Sequence, residues 1–106
     1  DHITDMRFLP NPFWNEVLRP FNGNDQPVSD YVLSQPGIEE FIEHYVAGLK
    51  IVFDGYMREN KRYVTVAIGC TGGKHRSVAV SRAIAAELAK EHEVSVNIKH
   101  RDLGKE

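Results

Sequence analysis

Residues 63–77 read YVTVAIGCTGGKHRS and join two kinds of secondary structure. The first half, Tyr63 to Gly69, is short, rich in β-branched residues and almost continuously apolar, which is typical of an interior strand covered on both faces. The second half carries glycines at positions 69, 72 and 73 and leads into a helix that begins at Ser77. A strand, a glycine-rich turn and a helix in direct succession indicate an α/β unit.

The flanking segments continue an alternation of strands and helices. Ile3 to Leu9 predicts a short strand, which the two prolines after it end because proline has no amide hydrogen. Apolar residues spaced by three and four predict a long amphipathic helix from Ile38 to about Asn60. A second helix is predicted from Ser77 to about His92, and an edge strand over residues 94–98. The predicted fold is therefore α/β, with a small, mainly parallel sheet, flanking helices and a strand–loop–helix anion-binding site.

Residues 13–37 are irregular. They are rich in turn formers, and Pro27 is placed to begin a short helix. An ordered stretch of this length in a small domain is often functional. A surface connection that only carries aromatic side chains into the core is an equally good interpretation.

Size and composition limit what the chain does. Its 106 residues suffice for one core, and an apolar fraction of 42% with a charged fraction of 26% is ordinary for a globular protein. The formal net charge of -2 excludes a general attraction to nucleic acid or to acidic membranes, so any anion site is local. The apolar stretches are too short to span a bilayer.

Cys70 is the only cysteine, so no internal disulfide forms. A chain without disulfides suits a reducing compartment, and we expect a cytoplasmic location. Because the first residue is Asp1 rather than methionine, we interpret residues 1–106 as a single ligand-sensing domain of a larger protein.

The loop after the central strand has the composition of an oxyanion site. Its glycines let the backbone approach a ligand closely, its amides converge on an anion, and the following helix adds the positive end of its dipole. Hydroxyl and cationic donors follow, with arginine able to hold two phosphate oxygens. The candidate ligand-binding residues of this loop are Cys70, Thr71, Gly72, Gly73, Lys74, His75, Arg76 and Ser77. A turn needed only for tight packing, with solvated cations, is the alternative interpretation.

Three kinds of phosphate chemistry use a loop of this composition. A Walker-type nucleotide loop, G-x-x-x-x-G-K-[ST], is excluded because Ile68 and His75 stand where it requires glycine and Ser/Thr. A cysteine-dependent phosphatase has the spacing C-x5-R-[ST], which Cys70, Arg76 and Ser77 reproduce. In that chemistry a thiolate at the helix start attacks phosphorus while the arginine holds the oxygens.

The third possibility is non-covalent capture of a phosphorylated metabolite, which uses every donor and needs no nucleophile. Gly69 stands where cysteine-dependent phosphatases usually carry a histidine, and only Asp5 or Asp25 offers a general acid. In a binding site Cys70 is a small buried residue. We therefore expect a non-enzymatic site without a metal or cofactor, and keep the phosphatase with Cys70 and Arg76 as the alternative.

Two segments resemble the C-terminal domain of the RapZ family of RNase adapter proteins, also described as nucleotide-binding P-loop proteins. They are residues 5–12, DMRFLPNP, and residues 67–78, AIGCTGGKHRSV; residues 18–20 and 100–103 resemble the family too. The resemblance implies that this domain senses a phosphorylated amino sugar of the glucosamine-6-phosphate type. It further implies small-RNA binding, presentation of that RNA to an endoribonuclease, and assembly into a homo-oligomer.

The resemblance also implies an N-terminal P-loop domain, outside this chain, that binds ATP or GTP and is where any nucleotide hydrolysis takes place. Asp5 is expected to contact the sugar, and residues 70–73 with His75 and Arg76 are expected to form the cradle. Phe13 stands where RNA-binding members have a histidine, which puts part of the sugar contact in question. Asp102 and Glu106 dilute a tail that is more cationic in those relatives.

RNA binding needs several cations on one face, because phosphate neutralisation supplies most of the affinity. The candidates are Arg58, Lys61, Arg62, Lys99, His100 and Arg101. Ordinary helix-end and tail charge explains the same residues, and no stacking-aromatic ribonucleoprotein motif is present. We therefore predict weak or absent RNA binding by this domain alone.

Overall fold

Two parallel strands form the sheet in the computed structural model, which describes residues 1–91 and 94–104. Strand β1 (His2–Asp5) pairs with strand β2 (Val66–Gly69), with His2 opposite Val66 and Asp5 opposite Gly69. Because the strands are parallel and in register, both end at the same edge of the sheet. The small α/β fold is confirmed.

The helices lie between and after the strands. They are a 3-10 helix at Pro12–Trp14, α1 at Gln26–Leu33, α2 at Ile38–Arg58 and α3 at Arg76–Leu88. The predicted short helix at Pro27 is confirmed as α1, in which that proline occupies the first turn, where a missing amide hydrogen costs nothing. No helix within the described residues combines the length and apolarity needed to cross a membrane.

Helix α2 is the long helix that the spacing predicted, and it anchors β1. Thr4 Oγ1 donates a hydrogen bond to the Tyr45 hydroxyl over 2.8 Å, and His2 Nε2 lies 3.0 Å from the Tyr56 hydroxyl. The core lies between this helix, α1, α3 and one face of the sheet. Its most deeply buried large side chains are Met6, Val28, Val32, Ile38, Val78 and Val80.

Strand β1 is shorter than the predicted strand from Ile3 to Leu9. The Asp5 carboxylate accepts a hydrogen bond from the Arg7 backbone N–H over 2.9 Å, which turns the chain out of the extended conformation. Met6 still donates its N–H to the Gly69 carbonyl over 2.7 Å. The turn after Asp5 therefore places the carboxylate at the sheet edge where β2 also ends.

One face of the sheet is open, so the prediction that β2 is covered on both faces is wrong. Ala67 is exposed whereas Val66 and Ile68 are half-buried, and Ile3 and Tyr63 are each 87% exposed. The helices that contact the strands cover only one face. A continuous apolar run shows that a strand tolerates burial, but it does not supply a second covering layer.

Residues 94–98 do not form the predicted edge strand, and α3 ends at Leu88 rather than near His92, which lies outside the described residues. Val94 donates its N–H to the Glu91 carbonyl over 3.3 Å in a turn. Val96 is half-buried against the core, yet a cavity of about 280 Å³ lies between this segment and β2. The alternation of apolar and polar residues at 94–98 indicates which side chains face the core. A strand there would also need the edge of another strand within backbone hydrogen-bonding distance.

Candidate functional site

The six-residue loop 70–75 connects the end of β2 to the start of α3, next to the end of β1. Gly72 and Gly73 have φ values of 82° and 65°, a left-handed conformation that side chains disfavour. These two positions let the chain reverse within the loop and enter α3. Asp5 is opposite Gly69 in the sheet, so the end of β1 lies beside the residue that precedes this loop.

The thiol of Cys70 faces the first turn of α3. Its Sγ lies 3.2 Å from Ser77 Oγ and accepts a hydrogen bond from the Ser77 backbone N–H over 3.3 Å. Burial raises the pKa of the Cys70 thiol, but the Ser77 hydroxyl, the backbone N–H groups of Ser77 and Gly73, and the positive charge of Arg76 together hold that pKa below its usual value. The loop therefore stabilises negative charge at Cys70.

Arg76 is a buried cation with one edge of its guanidinium unpaired. The residue is 4% exposed, and its Nη1 donates to the carbonyl oxygens of Leu9 over 3.0 Å and Arg7 over 3.4 Å. Its Nε is buried without a hydrogen-bond partner, and Nη2 has no protein acceptor within the described residues. A buried donor left unpaired costs about 1–3 kcal/mol, more when charged. The Nε–Nη2 edge, from which an arginine can donate two parallel hydrogen bonds to a phosphate or carboxylate, is thus available to an oxyanion.

Backbone amides of the loop are also available. In residues 1–91 and 94–104 no protein atom accepts a hydrogen bond from the N–H groups of Thr71, Gly72 or Lys74. Unpaired amides in a turn ahead of a helix form a concave anion site, to which the helix N-terminus adds positive potential. The loop therefore combines backbone donors with the unpaired edge of Arg76.

Asp5 places a negative charge beside this positive site. Its carboxylate is half-exposed and pairs with Arg7, with Arg7 Nη2 at 2.7 Å and Nε at 2.8 Å from Oδ2. Hydrogen bonds from the Arg7 side chain and backbone, with a smaller contribution from the charge of Arg76, hold the pKa of Asp5 below its usual value. The carboxylate is consequently ionised at neutral pH.

His75 connects the loop to the irregular segment rather than adding a charge to it. The residue is 4% exposed, and its Nε2 lies 3.2 Å from the Arg19 carbonyl oxygen. Burial lowers the pKa of His75 despite hydrogen bonds to the carbonyls of Arg19 and Phe21, so the ring is neutral at pH 7. In this conformation His75 fixes the loop through its contact with the Arg19 carbonyl.

The irregular segment supports the loop through a residue that the sequence did not single out. Gly23 donates its N–H to the Lys74 carbonyl over 2.9 Å, and a Cβ at Gly23 would lie only 2.4 Å from Ala79 N and 2.6 Å from His75 O. The sequence places Gly23 among several turn formers and gives no sign of its packing partner. A close approach of two backbones is the reason that glycine is needed here.

Phe13 lies at the outer end of the same support. Its carbonyl accepts a hydrogen bond from Arg19 Nε over 2.6 Å, and the Arg19 guanidinium carbon stands 4.7 Å from the Phe13 ring centroid. The Trp14 ring packs edge-on against Phe13 at 5.1 Å between centroids. These contacts link the 3-10 helix through Arg19 to His75 and the loop.

Asp102 contacts the loop from the C-terminal side, which the sequence did not predict. A Cβ at Gly73 would lie 3.0 Å from Asp102 Cβ and 3.1 Å from Asp102 Oδ2. The carboxylate also pairs with Arg101, whose Nε and Nη2 lie 3.1 and 3.0 Å from its oxygens. An acidic side chain therefore lies against a glycine in the middle of loop 70–75.

Only some of the six cationic residues predicted to bind RNA lie close together in the structure. Lys61, Arg62 and Lys99 line the cavity beside residues 94–98, although Lys61 also pairs with Asp1 at 3.4 Å. Arg101 is engaged by Asp102, and burial lowers the pKa of His100, with help from the charge of Arg82. Arg58 is the exposed last residue of α2. Three of the six candidates thus share one surface.

Known proteins are similar to this chain along its whole length. The family model of the RapZ C-terminal domain matches residues 1–104. Proteins named nucleotide-binding protein from Mycobacteroides abscessus and from Parafrankia sp. are each 58% identical over 106 residues, and one from Clavibacter michiganensis subsp. michiganensis is 59% identical. Each alignment includes 100% of this chain but 35–36% of the relative, so the chain spans about a third of the length of these relatives. The chain belongs to the RapZ C-terminal domain family.

Proposed function

We propose that this domain binds a phosphorylated amino sugar of the glucosamine-6-phosphate class, with the phosphate in loop 70–75 and the amine near Asp5. The observation that carries the proposal is the buried, unpartnered Nε of Arg76. A positive group that is 96% buried and only partly hydrogen-bonded is costly unless an anion completes its contacts.

The phosphate half of the proposal rests on matched donors. The unpaired amides of Thr71, Gly72 and Lys74 and the Nε–Nη2 edge of Arg76 supply directional hydrogen bonds to a dianion. Lys74 and the α3 N-terminus add positive potential. Since the loop already holds these donors in place, little ordering is needed on binding.

The amine half of the proposal rests on Asp5. An ionised carboxylate beside an anion loop disfavours a simple phosphate monoester, whereas it complements a ligand that carries both a phosphate and an ammonium group. Arg7 is half-exposed and holds the carboxylate from one side, so an incoming amine shares or replaces that contact. Asp5 is thus the proposed source of selectivity for amino sugars.

Calorimetric titration of the 106-residue chain with glucosamine-6-phosphate and glucose-6-phosphate tests both halves. Arg76→Lys keeps the charge but removes the two-pronged edge, and we expect about a 10- to 100-fold loss of affinity for both sugars, since a charge-assisted contact contributes about 1.5–3 kcal/mol. Asp5→Asn is expected to weaken only the amino sugar. Arg58→Ala, which removes an exposed cation of α2, is the control. Unchanged binding by Arg76→Lys, checked to be folded by its thermal unfolding, removes the loop from the site.

Membership of the RapZ C-terminal domain family supports a proposal for the wider role of this domain. We propose that this domain is the sensory part of a regulatory RNase adapter, and that small RNA and an endoribonuclease are its partners within a homo-oligomer. The relatives are named nucleotide-binding proteins, and no Walker pattern occurs in this chain. ATP or GTP binding is therefore proposed for the parts of such proteins outside this span.

A cysteine-dependent phosphatase is the second candidate, favoured by the contact between Cys70 Sγ and Ser77 Oγ at 3.2 Å. A hydroxyl at this distance can donate a hydrogen bond to a thiolate, which is the form of cysteine that attacks phosphorus. Incubation with p-nitrophenyl phosphate separates the two functions. Turnover that disappears in Cys70→Ser supports the enzyme, whereas absence of turnover together with undiminished glucosamine-6-phosphate binding by Cys70→Ser supports the sensor.

A further inference from the structure

The C-terminal turn, residues 101–104, places a carboxylate against Gly73 of the proposed oxyanion loop. Asp102 lies against Gly73, with its Oδ2 3.1 Å from the position that a Cβ of Gly73 would occupy. The glycine permits this approach because it has no side chain and has a left-handed φ of 65°. Any residue with a Cβ at this position would require the Asp102 side chain to shift by a small distance.

Electrostatics explains why an acidic side chain rests on this loop. The neighbouring cations Lys74 and Arg76 and the unpaired amides create a positive potential that attracts a carboxylate as it attracts a phosphate. A phosphate dianion has the greater charge and more acceptor oxygens than a carboxylate. The carboxylate is thus the weaker of two possible partners for the same surface.

We propose that the C-terminal turn is an internal competitor for the oxyanion, with Asp102 covering the loop until phosphate displaces it. The inference rests on the proposed function, because it presumes that loop 70–75 binds phosphate. Arg101 is joined to Asp102 by two hydrogen bonds, so displacement of the carboxylate also moves this cation. Ligand binding is thereby coupled to the position of the turn.

The test compares Asp102→Asn with Asp54→Asn in the 106-residue chain. Asparagine has nearly the shape of aspartate but carries no charge. Asp54 is an exposed residue near the end of α2, and its substitution removes the same formal charge from the chain. The probe is inorganic phosphate, titrated by calorimetry. We expect Asp102→Asn to bind phosphate about fivefold more tightly than the wild type, since two charges about 4 Å apart in water interact by about 1 kcal/mol. Asp54→Asn is expected to bind like the wild type.

Hydrogen exchange of the peptide containing residues 100–104 provides the second measurement. Phosphate is expected to accelerate exchange there in the wild type, and Asp102→Asn is expected to show fast exchange without phosphate. Equal phosphate affinities for wild type and Asp102→Asn, or weaker binding by Asp102→Asn, would overturn the competitor role while leaving the proposed function intact. Absence of phosphate binding by all three proteins would overturn the proposed function as well.

Discussion

Gly23→Ala tests whether the segment 13–37 holds loop 70–75 in place. The added Cβ would lie 2.4 Å from Ala79 N, 2.6 Å from His75 O and 2.7 Å from Val78 Cβ. Two of these three atoms belong to the backbone at the start of α3, so no side-chain rotation relieves the contact. The φ of Gly23 is outside the left-handed region, and the effect of the substitution is therefore steric rather than conformational.

The expected magnitude follows from two contributions. Inserting a methyl group into a packed contact costs about 1–3 kcal/mol. Separating the segment from α3 also weakens the hydrogen bond from Gly23 N–H to the Lys74 carbonyl, which contributes about 1 kcal/mol. We expect the free energy of unfolding to fall by about 2–4 kcal/mol, a large part of the ~5–15 kcal/mol typical of a domain.

Urea unfolding monitored by circular dichroism measures this loss, with Gly48→Ala as the matched control. Gly48 lies inside α2, and a Cβ there meets no atom within 4 Å, so alanine is expected to stabilise the helix by about 0.5–1 kcal/mol. Gly23→Ala should also weaken glucosamine-6-phosphate binding, because Lys74 is displaced. A Gly23→Ala protein as stable as the wild type would refute the close packing of the segment on the loop.

Three further results are expected. Iodoacetamide should alkylate Cys70 faster at pH 7 in the folded chain than in urea, because the lowered pKa of the thiol favours the thiolate. Ser77→Ala should slow the reaction of the folded chain. Equal rates for the folded and unfolded chains would contradict this prediction. The pKa of His75 in the folded chain is below its usual value of 6.5, so the unfolded chain binds more protons in this pH range. The free energy of unfolding should therefore fall as the pH drops below about 6.5. A His75→Gln protein that keeps the whole pH dependence would argue against His75 as its source. Filter binding at physiological salt should show weak or no RNA retention, and nanomolar affinity would disprove it.

Local patterns predicted the elements that depend on local chemistry. The long helix α2 follows from apolar residues at helical spacing, and the start of α1 follows from Pro27. The position of loop 70–75 between β2 and α3 follows from its glycines and from the apolar run before them. The structure adds that Cys70 Sγ and Ser77 Oγ, at the two ends of the C-x5-R-[ST] pattern, lie 3.2 Å apart.

Features that depend on distant partners were not predictable. The alternation at residues 94–98 predicts a strand, but whether β2 offers it a hydrogen-bonding edge is a property of the assembled fold. The exposed face of β2 is a similar case, because the apolar run does not reveal how many layers pack on it. Gly23 and Asp102 reach the loop from parts of the chain about fifty and thirty residues away in sequence, and no local pattern marks either contact.

The 3-10 helix at Pro12–Trp14 gives the domain a built-in optical reporter. Trp14 is the only indole in the chain and is 76% exposed, so its emission is free of overlapping signals from other tryptophans. It touches Phe13, which lies under the guanidinium of Arg19, whose carbonyl meets the ring of His75. We expect a rearrangement of loop 70–75 to be transmitted along these neighbours and to change the emission of this surface fluorophore, which would report binding of the proposed ligand without a dye.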